Sequence, residues 1–147
     1  MKTSSSPAPV PSPWTPVQCA GADGAIDISV QGRRYRFGSS AALLESIETA
    51  GVEILAGPMR LLGSIYGEAI AWTGQHLSLL QKTEANATLY GSMETTGVII
   101  SNSIKVEYDG TVRFDMAVTP FLSNFRQGAE LAHGLDHLWL EIPLRAE

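Results

Sequence analysis

The 147-residue sequence predicts an all-β fold: an antiparallel β-sandwich of about nine or ten strands behind a Pro-rich N-terminal lead-in. Three observations carry this. Two separate stretches each pass a parity test for a β-hairpin, in which the apolar residues of both arms must end on one face. Turn-forming residues recur roughly every 8–12 positions, with no long stretch of helical period. Finally, 14 glycines, 8 prolines and only 17% charged residues favour strands and turns over long charged helices. The length suits one domain that buries roughly 70% of its unfolded surface without staples.

Residues 1–16 are the lead-in, with Ser4 to Ser6 followed by prolines at positions 7, 9, 11, 13 and 16. This composition cannot bury a core and favours extended, solvated backbone, so it reads as a linker. Trp14 and Val17 are the first residues able to dock on the body, and residues 17–147 are expected to form a single sandwich domain. In the hairpin of residues 26–37, Ile26, Ile28 and Val30 are even-numbered while Tyr35 and Phe37 are odd. Matching those faces demands an even loop. Gly32-Arg33 as a type II′ turn supplies one, pairing Val30 with Tyr35 and Ile28 with Phe37.

Residues 39–51 read as an irregular strand. A short helix capped by Ser39 or Ser40 is the alternative, because Leu43, Leu44 and Ile47 keep helical spacing. Strands are expected at 52–55 and 59–62, separated by Gly57-Pro58, and at 68–73, 76–82, 87–93 and 98–108. In the last of these Val98, Ile100, Ile104 and Val106 share a face that Asn102 interrupts. The central hairpin follows. A two-residue Asp109-Gly110 loop would set every apolar residue of residues 104–119 against a polar one. A three-residue loop of Tyr108, Asp109 and Gly110 pairs Val106 with Val112 and Ile104 with Phe114, with Gly110 in the left-handed bulge position. Residues 127–134 read as a polar loop with a single helical turn. A last strand at 135–144 places Leu138, Leu140, Ile142 and Leu144 on one face and His137, Trp139 and Glu141 on the other. No internal repeat is present.

A net charge of −5 argues against a nucleic-acid partner. Arg33, Arg34 and Arg36 are the sole cationic cluster and read as a solvated hairpin tip. No apolar run approaches the roughly 18 residues of a membrane span, and the N-terminus has no apolar core of a secretory signal, so localisation stays open. Cys19 is the only cysteine, which excludes an intrachain disulfide, and nothing nearby activates its thiol.

The carboxylates Glu107 and Asp115 alternate with Lys105 and Arg113, the pattern of an ion-paired sheet face rather than a catalytic pair. His133 and His137 have helical metal-ligand spacing. In a strand, though, such side chains stand about 13 Å apart, so no metal site is assigned. No nucleophile elbow and no phosphate loop is present, so no catalytic residue and no cofactor is assigned. The remaining signal is aromatic. Trp139, flanked by His137 and Glu141, and Trp72, at the end of an alternating stretch, could stack on sugar rings or pack against a neighbouring domain.

The lead-in VPSPWTPV, the hairpin ISVQGRRYRFG, the segment EILAGPMRL, the central VEYDGTVRFDMAVTP and the terminal LDHLWLEIPLRAE occur in this order over residues 10–147. The set resembles the N-terminal β-sandwich region of large bacterial glycoside-hydrolase-like proteins, similar to those of glycoside hydrolase family 123. The resemblance implies a non-catalytic sandwich that precedes a catalytic (β/α)-barrel, and a carbohydrate context. The sequence stops at Glu147, about where the linker to the barrel would start, so no catalytic residue is carried over.

The function expected is therefore that of an accessory domain supporting a downstream barrel. An independent carbohydrate-binding module is the alternative, and a small sugar enzyme using His137 with Glu141 or Asp136 is a third reading. In the first two, Trp72, His137, Trp139 and Glu141 are the candidate residues for glycan binding or domain docking.

Overall fold

A computed structural model describes residues 9–21, 24–38, 43–95, 97–120 and 135–146. Three antiparallel sheets pack as a sandwich. The first has the order β1 (Gln18–Ala20), β2 (Ala25–Val30), β3 (Arg33–Gly38), β4 (Leu44–Thr49) and β5 (Val52–Glu53). The second runs β11 (Val112–Pro120), β10 (Val98–Glu107), β9 (Asn86–Glu94) and β8 (Thr73–Lys82). The third is small: β12 (Leu135–Glu141), β6 (Arg60–Ile65) and β7 (Glu68–Ala69). The described residues hold 12 strands against the nine or ten expected; β1, which no expectation covered, is only three residues long and carries too few letters to show a period.

The core lies between the first two sheets. Ile26, Ile28, Val30, Tyr35 and Phe37 from β2 and β3 face Leu89, Met93, Ile100, Ile104 and Val106 from β9 and β10, all buried. The Phe37 and Phe114 rings meet across the gap at 6.3 Å. Every second residue of β10 is buried, and Asn102 takes its place in that row at 1% exposure. Val17 docks the lead-in, buried at 2% with its amide donating to the Glu84 carbonyl, and Trp14 packs edge-on to Tyr108.

The central hairpin has the expected register, Val106 opposite Val112 and Ile104 opposite Phe114. Gly110 holds φ +87 and its amide donates to the Glu107 carbonyl. Lys105–Glu107 and Arg113–Asp115 are ion pairs on the outer face, as their alternation requires.

The first hairpin departs from expectation. Val30 lies opposite Arg33, Ile28 opposite Tyr35 and Ile26 opposite Phe37, so the turn is Gln31-Gly32. Both turn residues have positive φ, 50 and 72, the signature of a type I′ turn. The two registers have the same parity, so face matching does not separate them. The I′ turn adds a cross-strand pair and frees Arg33 for the strand. The arginine cluster accordingly lies along β3 rather than in the turn, with Arg34 and Arg36 still solvated. Arg33 Nη1 donates to the Asp109 carbonyl, Arg34 pairs with Glu48, and Arg36 lies near Asp27 and Glu45.

Residues 44–49 are a strand, bulged where it meets β3, so the strand reading holds there; Ser39 to Ala42 lie outside the described residues. The expected strand at 68–73 is split. Only Glu68–Ala69 pairs with β6, and Thr73 already belongs to β8. The polar loop at 127–134, including His133, lies outside the described residues.

Candidate functional site

The strand β12 lies at one edge of the third sheet, paired to β6 alone within it. On β6, Leu61 and Gly63 are buried while Arg60, Leu62 and Ser64 are not. In register, His137 stands opposite Ser64, Trp139 opposite Leu62 and Glu141 opposite Arg60. Cross-strand partners share a face, so these six residues form one outer surface. Trp139 is its centre, 50% exposed. The Arg60 guanidinium donates to Glu141 on one side of it, and His137 and Ser64 lie on the other. Asp136 sits at a bulge in β12, where its carboxylate accepts from Ser64 Oγ (3.2 Å) and from the Gly67 amide (2.7 Å).

The inner row of β12 differs from expectation. Leu138 packs against the core, but Leu140, Ile142 and Leu144 are 41%, 50% and 65% exposed. The strand ends at Glu141, and beyond it the chain is tied along residues 54–56 by the Leu144–Leu55 bridge, the Ala56 amide donating to the Pro143 carbonyl, the Arg145 amide to the Ile54 carbonyl and the Arg145 guanidinium to the Leu55 carbonyl. Past Leu138 these three side chains stay largely in solvent among the described residues. The letters specify the stripe, not its cover.

The sequence grouped Trp72 with Trp139 as candidate aromatics. Trp72 is half-buried against the core with its indole N–H donating to the Leu61 carbonyl at 2.8 Å. It lines a cleft of about 300 Å³ with Leu43, Met59, Met93 and, from β6, Arg60, Leu61 and Leu62. An indole tied into a backbone carbonyl is a packing group first. Of the four candidates, His137, Trp139 and Glu141 share the outer surface, and Trp72 lines a cleft that reaches Leu62 and Arg60, the β6 partners of Trp139 and Glu141.

The acid–base pairing of His137 with Glu141 lacks a shared point of action, since four strand residues separate them by about 13 Å. Both Glu141 and Asp136 are already engaged, with Arg60 and with Ser64 and Gly67. Among the described residues no cluster of three His, Cys, Asp or Glu side chains could hold a metal ion. None of their helices is long and apolar enough to cross a membrane. Burial in β1 pushes the Cys19 thiol up, outweighing the pull of the Lys82 charge, consistent with a packed and unreactive sulfur. Reading the sequence did not find Arg60, Leu62 and Ser64, whose pairing to β12 bridges more than seventy residues and leaves no local signal.

A family model described as glycoside hydrolase 123, third domain, matches residues 23–144. The chain belongs to this family. The match spans all three sheets, from β2 to the bridge at Leu144. No curated protein matches the chain. As a glycoside hydrolase 123 third domain, it presents β12 with its outer aromatic surface at one edge of the sandwich.

Proposed function

We propose that this glycoside hydrolase 123 third domain is a non-catalytic accessory sandwich that docks onto a catalytic barrel encoded downstream in the same polypeptide and supports it. One observation carries the reading: among the described residues β12 and the segment after it leave four large apolar side chains half-exposed, Trp139 and Leu140 on the strand and Ile142 and Leu144 beyond it. Large apolar side chains left exposed along one segment mark an interaction site. Covering four half-exposed side chains would contribute on the order of 4 kcal/mol, enough to orient a tethered neighbour. A sugar ring would use Trp139 alone and leave the aliphatic row in water.

The test extends the chain through the coding sequence beyond Glu147 with a protease site at the junction. After cleavage the parts are expected to co-elute in size exclusion, and Trp139→Ala combined with Leu144→Ser to separate them. Independent elution of the unsubstituted parts, or a full-length gene with no second domain, would overturn the reading. The second reading, a carbohydrate-binding module, draws on the polar groups beside Trp139. Glycan-array binding lost in Trp139→Ala with the fold intact would favour it.

A further inference from the structure

The edges of the three sheets are not alike. β1 has three residues, and β5 and β7 have two each. The ten-residue edge β8 is broken by register shifts between Thr73 and His76 and between Leu79 and Gln81. β12 is broken by one between Leu135 and His137. Short strands and bulges protect an edge against the addition of a further strand. β11 has neither. Its nine residues pair with β10 in unbroken register from Val112 to Pro120, and among the described residues no strand lies on its other side.

The direction of its backbone groups follows from the turn. The Thr111 carbonyl accepts from the Glu107 amide, one step before the Val112–Val106 pair. Hydrogen bonding alternates along an antiparallel pair, so Arg113, Asp115 and Ala117 aim their amides and carbonyls at β10. Those of Val112, Phe114 and Met116 point outward, away from the sheet. The side chains alternate too. Val112, Phe114 and Met116 are partly buried against the core, while Arg113 and Asp115 stand on the outer face, more than half exposed.

A second copy of β11 laid antiparallel on this edge must set odd residues opposite odd ones, or the apolar row would change face. A two-fold axis at Arg113 or at Asp115 puts like charges opposite each other. An axis at Met116 puts Val112 opposite Pro120, which has no amide to donate. An axis at Phe114 sets Arg113 of each copy against Asp115 of the other, in the non-hydrogen-bonded positions where side chains come closest. It also sets Phe114 against Phe114 and Val112 against Met116, in positions that form about six backbone hydrogen bonds. We propose that the chain self-associates as a two-fold dimer through β11, antiparallel to β11 of a second copy and centred on Phe114. One continuous sheet then crosses the dimer. A contact of one strand on another is small beside the roughly 1,200–2,000 Å² of stable interfaces, so a dissociation constant of roughly 10–100 μM is expected. The contact is separate from β12 and does not need docking there.

The test follows the full chain by analytical ultracentrifugation from low to high micromolar concentration, where the mass should rise from monomer towards dimer. Arg113→Asp and Asp115→Arg each place like charges opposite one another and should weaken self-association roughly tenfold or more. Both side chains are exposed, so both variants should melt near the parent temperature. A mixture of the two variants brings opposite charges together again and should associate as the parent does. The pair between Arg113 and Asp115 within one strand stays broken in that mixture, so rescue reports only the contact between copies. In NMR hydrogen exchange the Phe114 and Met116 amides should gain protection as concentration rises. A parent that stays monomeric, reversals that leave association unmoved, or a mixture that fails to associate would overturn the proposal. Protection of those amides at every concentration would mean that the chain's own residues cover the edge, and would overturn it as well. Association lost in Trp139→Ala but kept in Arg113→Asp would also overturn it, by placing the contact on β12.

Discussion

Replacing Gly110 with valine tests whether the central hairpin's turn is held from outside the hairpin. Gly110 sits at φ +87, a conformation that costs a β-branched residue about 1–3 kcal/mol. A Cβ built there would lie 2.0 Å from Arg33 Nη1 and 3.3 Å from the Tyr35 hydroxyl. Those two side chains come from the other hairpin: Arg33 Nη1 donates to the Asp109 carbonyl at 3.0 Å and the Tyr35 hydroxyl to the Gly110 carbonyl at 2.8 Å. The arginine end can swing aside, so the clash itself is relieved cheaply, but its hydrogen bond is lost at about 1 kcal/mol. The expected cost is about 2–4 kcal/mol, or a fall in Tm of about 5–15 °C for a chain of this size. Thermal and urea melts followed by circular dichroism read it directly. Gly97→Ala is the control, since Gly97 has open space around its Cβ position and no positive φ, and it should be neutral or slightly stabilising. Tyr35→Phe should cost about 1 kcal/mol alone and less in the Gly110→Val background, because both act on one contact. A Gly110→Val chain that melts within about 2 °C of the parent, or strict additivity with Tyr35→Phe, would refute the reasoning.

Three further outcomes are expected. Burial raises the Glu53 carboxyl, but hydrogen bonds from the Ser46 hydroxyl and the Leu55 and Ile47 amides, with the Arg145 charge, pull it below its ordinary 4.5. Its folded-state value is thus depressed, so its stabilisation is present above pH 4.5 and is lost as pH falls below that towards the folded value; Tm measured from neutral to acid pH should decline less steeply in Glu53→Gln. Trp72→Phe should lower stability by about 1 kcal/mol through loss of the bond to Leu61, whereas Trp139→Ser should change the isolated domain's urea midpoint far less, since Trp139 is half in water. The Cys19 thiol, raised by burial, should react with a disulfide reagent at mildly alkaline pH much more slowly in the native chain than in urea.

Much of the architecture was legible because strand parity is a local property. Ile104, Val106, Val112 and Phe114 leave one register in which all four face the core, and the structure adopts it. Parity is blind to shifts of two residues. Gly32-Arg33 and Gln31-Gly32 both satisfy it at the first hairpin, and the choice fell to contacts outside it, among them the reach of Arg33 to Asp109. The candidate site was legible only on its own strand. His137, Trp139 and Glu141 alternate visibly, while their partners Ser64, Leu62 and Arg60 come from a strand whose pairing is decided in three dimensions.

What the sequence determined by itself was the class of fold and which face of each strand is apolar, since both follow from residue order at a period of two. Tertiary structure alone decided which apolar faces find a cover. The stripe on β10 meets the Phe37 sheet and vanishes from solvent, while on β12 Leu138 packs against the core and Leu140, near the strand's end, stays 41% exposed. Burial depends on what lies across the gap, and no strand's own letters record that.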